Sequence, residues 1–318
     1  MPPIVLNEDD IERLLPNIDV KEALRGMFSE LASQRAVQPS QSVTLFPNGQ
    51  GDFITYQGVL EKHGVFGAKL SPYIGNNGEA FVTAWTCLMS MKTGQPLLLC
   101  DSAKLTTERT GATTALAVDL LSKSDSKVLT IIGSGAIALA HWRQVESLRD
   151  WGEVRVWSPN LSTNSKRRQQ WSSAVPSIHF AESAEFASSG ADVILLCTSS
   201  GTSVIDDSVI SDGTLVTSIS TNVPGAHEVQ PQFLNRAQVY CDYRKTTPET
   251  AGEMVSANRD HGWSADDIVG DLAELVVEQC AKPDGKSAIF FRSLGLGLED
   301  IATANEIYTA YQQAEGLA

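Results

Sequence analysis

A glycine-rich segment near the middle of the chain has the residue types needed to hold a phosphate group. Residues 128–141 read Val-Leu-Thr-Ile-Ile-Gly-Ser-Gly-Ala-Ile-Ala-Leu-Ala-His, an apolar run followed by a turn and a helical pattern. In such a turn Gly133 permits the sharp bend and Gly135 lets backbone amides approach a pyrophosphate. The unpaired N–H groups at the helix start, including those of Ala136 and Ile137, favour an anion. The segment predicts a dinucleotide-binding site; a nucleotide-free turn of a flavodoxin-like domain is the alternative.

The end of the next predicted strand indicates which dinucleotide is bound. An acidic residue there usually accepts the ribose hydroxyls of NAD. Val154–Trp157 is instead followed by Ser158-Pro-Asn160-Leu-Ser162, which contains no acid, and the Ser158 and Asn160 side chains can donate to a 2′-phosphate. We therefore expect NADPH as the cofactor, with NADH as the alternative. Thr198 follows a later strand, at the sheet edge where ligands of open α/β sheets bind.

The residues around this motif alternate between strands and helices, which predicts a parallel sheet because each parallel crossover needs a covering helix. Several of the strands are short apolar runs, as expected of strands covered on both faces. We expect an α/β fold with a Rossmann-type doubly wound sheet over residues 116–299. Its predicted strands are Val128–Ile132, Val154–Trp157, His179–Phe180, Val193–Cys197, Leu215–Ile219 and Val239–Asp242.

The first third of the chain has a different pattern. Apolar positions within Asn7–Arg35 predict two short amphipathic helices. Helices at Lys104–Ser122 and Ile301–Ala314 are also predicted, and the second could return to the N-terminal sheet. We expect a discontinuous α+β domain formed by residues 1–115 and 300–318. Its alternating segments predict antiparallel strands at Ser42–Phe46, Asp52–Val59, Val65–Tyr73, Ala80–Ser90 and Gln95–Cys100.

Composition restricts the partners and the location. The 318 residues include 24 Lys and Arg against 38 Asp and Glu, a net charge of −14, and an acidic protein repels phosphate backbones, so we expect no nucleic-acid partner. No apolar run has the length of a membrane span and no signal-peptide pattern is present, so we expect no membrane association. The five cysteines form no CxxC pair and the five histidines no HExxH, which predicts reduced thiols, a cytoplasmic protein and no metal site.

Several short segments, taken in their order and spacing, resemble the ornithine cyclodeaminase/μ-crystallin family over nearly the whole chain. The resemblance implies a Rossmann domain joined to a discontinuous substrate-binding and dimerisation domain, and therefore a homodimer. Activities in this family include ornithine cyclisation, alanine dehydrogenation, N-methyl amino acid formation and reduction of cyclic ketimines. The matching segments are Val37-Gln-Pro-Ser-Gln41, Gly67-Ala-Lys69, Thr107-Glu-Arg109-Thr-Gly-Ala112, Gly133-Ser-Gly135, Pro224-Gly225 with Glu228, and Phe291-Arg-Ser-Leu-Gly295 running into Glu299-Asp300.

The resemblance also assigns roles to individual residues. Lys69 and Arg109 match the residues that hold the substrate carboxylate, and a guanidinium fork beside an ammonium suits a planar carboxylate. Gln41 stands where many members have Arg, so it can contribute only neutral hydrogen bonds. Asn222 stands where ornithine cyclodeaminases have Asp, and an amide cannot take up a proton. The loss of that base argues against ornithine as the substrate.

The remaining assignments concern the rest of the substrate and cofactor sites. Tyr56 lies on a predicted strand that could line the substrate pocket, although packing within the sheet would also account for it. Ser293, Leu294 and Gly295 match a family segment near the nicotinamide. Asp242 ends a predicted strand, where it could face the cofactor or cap the strand.

These residues predict NAD(P)H-dependent reduction of a cyclic ketimine carboxylate by hydride transfer to C2. The expected reaction converts Δ1-pyrroline-2-carboxylate to L-proline, with Δ1-piperideine-2-carboxylate to L-pipecolate as a six-membered alternative. Lys69, Arg109 and Asn222 are the expected catalytic residues. An ornithine cyclodeaminase with bound NAD, an alanine or N-methyl amino acid dehydrogenase, and a non-enzymatic binder of NADPH and a small ligand remain alternatives. Retention of both cations opposes the last of these.

Overall fold

The computed structural model describes residues 3–76, 79–175, 177–221 and 225–317. The chain forms two compact units, one of Met1–Arg109 with Gly295–Ala318 and one of Thr110–Leu294. The chain passes from one unit to the other after Arg109 and after Leu294. The boundaries expected after residues 115 and 299 therefore lie six (115 − 109) and five (299 − 294) residues beyond the observed ones. A boundary after residue 299 would divide the helix Gly297–Ala314, which is one continuous element.

The first unit is built on a mainly antiparallel sheet of eight strands. In chain order the strands are β1 Ile4–Leu6, β2 Ala36–Val37, β3 Ser42–Leu45, β4 Gly51–Leu60, β5 Val65–Asn76, β6 Glu79–Val82, β7 Trp85–Ser90 and β8 Pro96–Asp101. Their order in the sheet is β1-β8-β7-β5-β4-β2, with β3 paired to β4 and β6 paired to β5. The segment expected as one strand over 80–90 is two strands, because β6 pairs with the far end of β5 and β7 with its beginning.

Helices pack on one face of this sheet. The unit contains the helices Glu8–Leu14 and Val20–Ala32, the first turns of Ala103–Leu121, and the C-terminal helix Gly297–Ala314. The C-terminal helix packs on β4, β5 and β7. Two glycines allow this helix to approach the sheet closely. An added Cβ at Gly58 would lie 3.0 Å from the Leu298 side chain, and one at Gly67 would lie 2.9 Å from the Ile301 side chain. These two glycines determine how close the first turns of the C-terminal helix lie to the strands.

The second unit is an eight-stranded sheet in the order β11-β10-β9-β12-β13-β16-β14-β15, with every pair parallel. Its strands are β9 Val128–Ile132, β10 Glu153–Trp157, β11 Ile178–Phe180, β12 Val193–Leu196, β13 Leu215–Ser218, β14 Ala237–Cys241, β15 Ile268–Asp271 and β16 Ala288–Arg292. The chain starts at β9, runs outward to β11, then returns past β9 to β12 and β13, as in a Rossmann-type sheet. The predicted α/β fold is confirmed.

The remaining helices of this unit connect the strands. They are Ala136–Val145, Ser165–Ala174, Ala184–Ser188, Thr247–Thr250, Gly252–Asp260 and Leu272–Val276. The strands β15 and β16 are additions to the six that the sequence pattern predicts. β16 is buried at every position and is inserted between β13 and β14. Among the helices of the described ranges, none combines the length and the hydropathy of a membrane-spanning segment.

The close approach of the C-terminal helix to the sheet generates a stability prediction. In Gly67→Ala the new Cβ would overlap the Cys87 carbonyl oxygen and press on Ile301, so we expect the free energy of unfolding to fall by about 1–3 kcal/mol. Gly26→Ala is the matched control, because Gly26 lies inside the helix Val20–Ala32 with no heavy atom near the added Cβ. It should raise stability by about 0.5–1 kcal/mol. Urea denaturation measures both, and equal effects would contradict the packing described.

Candidate active site

Four charged side chains of the first unit form one buried ionic cluster. The Lys69 Nζ lies 3.0 Å from both carboxylate oxygens of Asp300. Oδ1 of Asp300 also accepts a hydrogen bond of 3.1 Å from Arg109 Nε, and Arg109 Nη1 donates to Glu299 Oε2 at 2.7 Å. The exposed fractions are 1% for Lys69, 4% for Arg109, 0% for Glu299 and 4% for Asp300. Since buried charges are tolerated when they are paired, the two cations and two carboxylates fix one another in place.

Three elements bring these charges together. Lys69 lies in β5, Arg109 in the second turn of the helix Ala103–Leu121, and both carboxylates in the first turn of the C-terminal helix. The positive end of a helix dipole stabilises carboxylates in its first turn. The side chain of Gln38 adds a cap to this helix, since its Oε1 accepts a hydrogen bond of 3.0 Å from the Leu298 N–H.

The environment acts differently on the two cations. Burial lowers the pKa of Lys69 to about 8, although Asp300 favours its charge. Burial also disfavours the charge of Arg109, but the attraction of Asp300 and Glu299 outweighs it and raises the Arg109 pKa. Both groups are therefore charged at neutral pH. Lys69 is the member of the pair that loses its proton in mildly alkaline solution.

Tyr56 and Thr106 complete the surroundings of Lys69. Tyr56 is directly opposite Lys69 in the pairing of β4 with β5, and the Lys69 Nζ lies 4.2 Å from its ring centroid, in the range of a cation–π contact. The Thr106 Oγ1 accepts a hydrogen bond of 3.3 Å from the same Nζ. Burial raises the pKa of Tyr56, so its phenol stays protonated at neutral pH. The structure thus places Tyr56, Lys69 and Arg109 at one location.

Two predicted residues of this unit have surroundings that the sequence pattern does not indicate. Gly295, which the family match predicts near the nicotinamide, has φ +82° and an added Cβ would overlap the Arg109 guanidinium, so it serves to leave room for that side chain. Gln41 is half-buried directly before β3. Its contact with a substrate remains a prediction.

Glu299 and Asp300 are the residues that sequence reasoning missed. They are part of a matching family segment, but nothing in the local pattern pairs them with cations about 190 and 230 residues away. The available signal was a Gly-Leu-Gly-Leu-Glu-Asp run at a helix start. Two adjacent carboxylates in the first turn of a buried helix require hydrogen-bond donors or cations as partners.

In the second unit, the glycine-rich turn has the conformation that its sequence predicts. Gly133 has φ +115° and an added Cβ would overlap the Cys197 carbonyl oxygen, so only glycine fits there. Gly135 is the N-cap of the helix that begins at Ala136 and continues with Ile137, and among the described residues no side chain caps that helix. The first N–H groups of the helix are therefore available to an anion.

The predicted contacts of the cofactor ribose lie beside this turn. The Ser158 hydroxyl shares a hydrogen bond of 2.7 Å with the hydroxyl of Ser134, which lies inside the glycine-rich turn. Asn160 is exposed in the turn after β10. The assignment of Ser158 and Asn160 to a 2′-phosphate stays a prediction.

Glu228 fixes the carboxyl ends of two neighbouring strands. Its Oε1 accepts hydrogen bonds from the Thr198 N–H at 2.8 Å and the Thr198 hydroxyl at 2.7 Å. Its Oε2 accepts hydrogen bonds from the Ser218 hydroxyl at 2.8 Å, the Ile219 N–H at 2.9 Å and the Ser220 N–H at 3.0 Å. The carboxylate is fully buried. Thr198, predicted as a cofactor contact, therefore uses its hydroxyl to hold Glu228.

Asp242 fixes the end of β16 in a similar way. Its Oδ2 accepts hydrogen bonds from the Leu294 N–H at 2.6 Å and the Ser293 hydroxyl at 3.2 Å, and its Oδ1 accepts one from the Tyr243 N–H at 2.9 Å. Of the two roles open to Asp242 from the sequence, these contacts fit the strand cap. Ser293 and Leu294 are held in a defined backbone position.

A buried ion pair lies next to these strand ends. The Arg292 Nε is 2.8 Å from Glu253 Oε1, and Arg292 Nη2 donates to the Ser220 carbonyl oxygen at 2.6 Å. Burial raises the pKa of Glu253, and Arg292 opposes that rise. Asn222, two residues beyond Ser220, lies outside the described residues, and its role stays a prediction. Within the described ranges no cluster of His, Cys, Asp or Glu side chains is placed to hold a metal ion.

The fold and these sites define a class of protein. The family model of the ornithine cyclodeaminase/mu-crystallin family matches residues 2–315, and the chain belongs to that family. The resemblance drawn from the short motifs is confirmed.

The chain is also similar in sequence or in structure to individual proteins. The chain is 52% identical over 310 residues to the NAD(P)H-dependent anabolic L-arginine dehydrogenase DauB of Pseudomonas aeruginosa, covering 98% of both chains. It is 29% identical to a Δ1-pyrroline-2-carboxylate reductase of Colwellia psychrerythraea, covering 69% of this chain and 71% of the relative. The solved structure of Thermococcus litoralis Δ1-pyrroline-2-carboxylate reductase with NADH and L-proline superimposes with a TM-score of 0.90 at 25% identity, covering 98% of both chains.

The hydrogen bonds of Glu228 generate a second stability prediction. Glu228→Gln turns one acceptor oxygen into an NH2 group that faces N–H and O–H donors. We therefore expect the free energy of unfolding to fall by about 2–3 kcal/mol relative to the parent chain. Glu182→Gln removes an exposed carboxylate of the same unit and should change stability by less than about 0.5 kcal/mol. Thermal and urea denaturation compare the two. A Glu228 variant as stable as the Glu182 variant would show that this carboxylate does not hold the strand ends.

Proposed function

We propose that the chain is an NAD(P)H-dependent dehydrogenase that reduces the C=N bond of a 2-imino acid, with the carboxylate of that acid held by Lys69 and Arg109. The observation that carries this proposal is the buried pair of cations sharing one oxygen of Asp300. A guanidinium and an ammonium fixed side by side match a planar carboxylate in shape and charge. Their own carboxylate partners hold them in position before a substrate arrives, which reduces the cost of ordering them.

The substrate that we propose is the imine of 5-guanidino-2-oxopentanoate. Ammonia condenses with the ketone with loss of water, and a hydride at C2 and a proton at nitrogen then give L-arginine, with NAD(P)H oxidised to NAD(P)+. The support is the 52% identity to an L-arginine dehydrogenase over almost the full length of both chains. The class of chemistry is the one the sequence predicts, while the substrate is open-chain instead of cyclic.

The second unit has a turn that fits the dinucleotide. Gly133 is restricted to glycine by its φ and by Cys197, and the uncapped helix start at Ala136 presents N–H groups to a pyrophosphate. When bound there, the reduced nicotinamide would supply the hydride. Ser158 and Asn160, with no acid nearby in the turn after β10, support NADPH over NADH.

Reduction of Δ1-pyrroline-2-carboxylate to L-proline is the second candidate. It is favoured by the TM-score of 0.90 to the structure of a reductase in complex with NADH and L-proline. The same two cations would hold the carboxylate of this ring. Cyclisation of ornithine is opposed by Asn222, which offers no base, and a purely binding role by the retention of both Lys69 and Arg109.

We also propose that the chain forms a homodimer through the first unit. The face of the sheet opposite the helices carries exposed apolar side chains from several strands. Examples are Val37, Leu70 and Leu99, with exposed fractions of 55%, 46% and 38%. A second copy with the same apolar face would cover them.

The roles of the two units are separable by one substitution. Arg109→Ala should lower kcat/KM for the imino acid by about a hundredfold or more, because it removes a cation that binds the buried Glu299 and half of the carboxylate site. Binding of NADPH, measured by fluorescence titration, should change less than about twofold. Arg35→Ala, which removes an exposed arginine of the same unit, is the control and should retain full activity. Unchanged turnover in Arg109→Ala would remove this residue from the site.

The lowered Lys69 pKa generates a pH prediction. Because Lys69 must be charged to hold a carboxylate, affinity for 2-oxopentanoate should weaken as pH rises through about 8 and fall by about tenfold by the time Lys69 is neutral. The groups that face its Nζ are Asp300, Thr106, Arg109 and Tyr56. The ligand carboxylate does not titrate in this range, and NADPH affinity serves as the internal reference. A constant affinity between pH 7 and 9.5 would show that Lys69 does not bind the carboxylate.

A further inference from the structure

The sheet face that carries Lys69 and Tyr56 also carries one carboxylate further along the same strands. Strand residues two apart share a face, so Asp52, Ile54 and Tyr56 of β4 lie on one side. Directly opposite in β5 are Tyr73, Ser71 and Lys69, in the same order. Among the strand residues of the first unit whose side chains are described, Asp52 is the one acidic residue on this face.

The other carboxylates close to the cations are already engaged. Asp300 binds Lys69 and Arg109, and Glu299 binds Arg109. Asp52 is half-buried, and no described lysine or arginine forms an ion pair with it. It is close enough to raise the pKa of the Tyr56 hydroxyl, along with the larger effect of burial. A negative charge thus faces the neighbourhood of the site without a cation of its own.

The distance along β4 from Tyr56, which contacts Lys69, to Asp52 is comparable with the length of an arginine-like molecule. Tyr56 is four positions beyond Asp52, which places their backbones roughly 13–14 Å apart along an antiparallel strand. An extended arginine-like skeleton measures roughly 9 Å from a carboxylate oxygen to a terminal guanidinium nitrogen by standard bond lengths, and a hydrogen bond of about 2.9 Å at each end brings the span to roughly 15 Å. The span of the molecule is therefore comparable with the spacing of these two strand positions.

The side chains beside this path suit the methylene chain of such a substrate. Ile54 lies between Asp52 and Tyr56 on the same face, with Val43 of β3 opposite it. Val43 and Tyr73 are exposed by 57% and 46%. Apolar and aromatic groups at these positions can pack on methylenes and on the flat face of a guanidinium.

We propose that Asp52 binds the distal guanidinium of the substrate and makes the enzyme selective for a basic open-chain 2-imino acid. This inference rests on the proposed function and adds the residue that determines its substrate. The reaction that supplies such a substrate must be one that converts a guanidino-bearing amino acid to its 2-oxo acid. Asp52 is a specificity residue and takes no part in hydride transfer.

The test compares two oxo acids that differ only in the guanidino group. With ammonia and NADPH, kcat/KM is measured for 5-guanidino-2-oxopentanoate and for 2-oxopentanoate. We expect the wild-type chain to prefer the guanidino acid, and Asp52→Asn to reduce that preference by about ten- to a hundredfold through KM, since a charged hydrogen bond is lost. Turnover of 2-oxopentanoate should stay within about twofold.

Glu61→Gln is the matched control, because it removes an exposed carboxylate from the turn at the other end of the same hairpin. It should leave both substrates unchanged. If Asp52→Asn keeps the preference, or lowers both substrates equally, the assignment of Asp52 is overturned while the proposed function stands. If the wild-type chain shows no preference for the guanidino acid but reduces Δ1-pyrroline-2-carboxylate, both the arginine substrate and the role of Asp52 are overturned.

Discussion

The structure of the first unit depends on the pairing of buried charges at Asp300. One oxygen of this carboxylate accepts hydrogen bonds from both Lys69 and Arg109, and all three groups are almost completely removed from water. Charge burial without such pairing would cost several kcal/mol for each ion. The packing of the sheet and two helices must therefore be accurate enough to keep these atoms within hydrogen-bonding distance. The same requirement produces a preorganised pair of cations.

Several glycines of the first unit make the close packing around these charges possible. Gly58 and Gly67 let the C-terminal helix approach the strands, and Gly295 leaves space for the Arg109 guanidinium. In the second unit, Glu228 and Asp242 have a comparable role, since buried carboxylates collect N–H and O–H donors from the ends of adjacent strands. In both units, segments that are distant in sequence are held together by charged hydrogen bonds, which are stronger than neutral ones.

Much of the fold could be predicted from local patterns. The strand Val128–Ile132 was predicted with its observed bounds, because a continuous apolar run followed by a glycine turn has few other solutions. The pairing of Asp300 with Lys69 could not be predicted, since the two residues are 231 positions apart in sequence. The break between β6 and β7 could not be predicted from local pattern either, because it depends on which part of β5 each strand pairs with. The role that we propose for Asp52 could not be inferred from local pattern either, because its position on the same face as Lys69 follows from the register of β4 and β5.

In the function that we propose, Lys69 and Arg109 together hold the carboxylate of the substrate. The most direct measurement is a crystal structure of the chain soaked with NADP+ and L-arginine. We expect one carboxylate oxygen of the amino acid within about 3 Å of the Lys69 Nζ and the other within the same distance of the Arg109 guanidinium. An amino acid bound with its carboxylate away from both cations, at a site occupied in solution, would contradict the account.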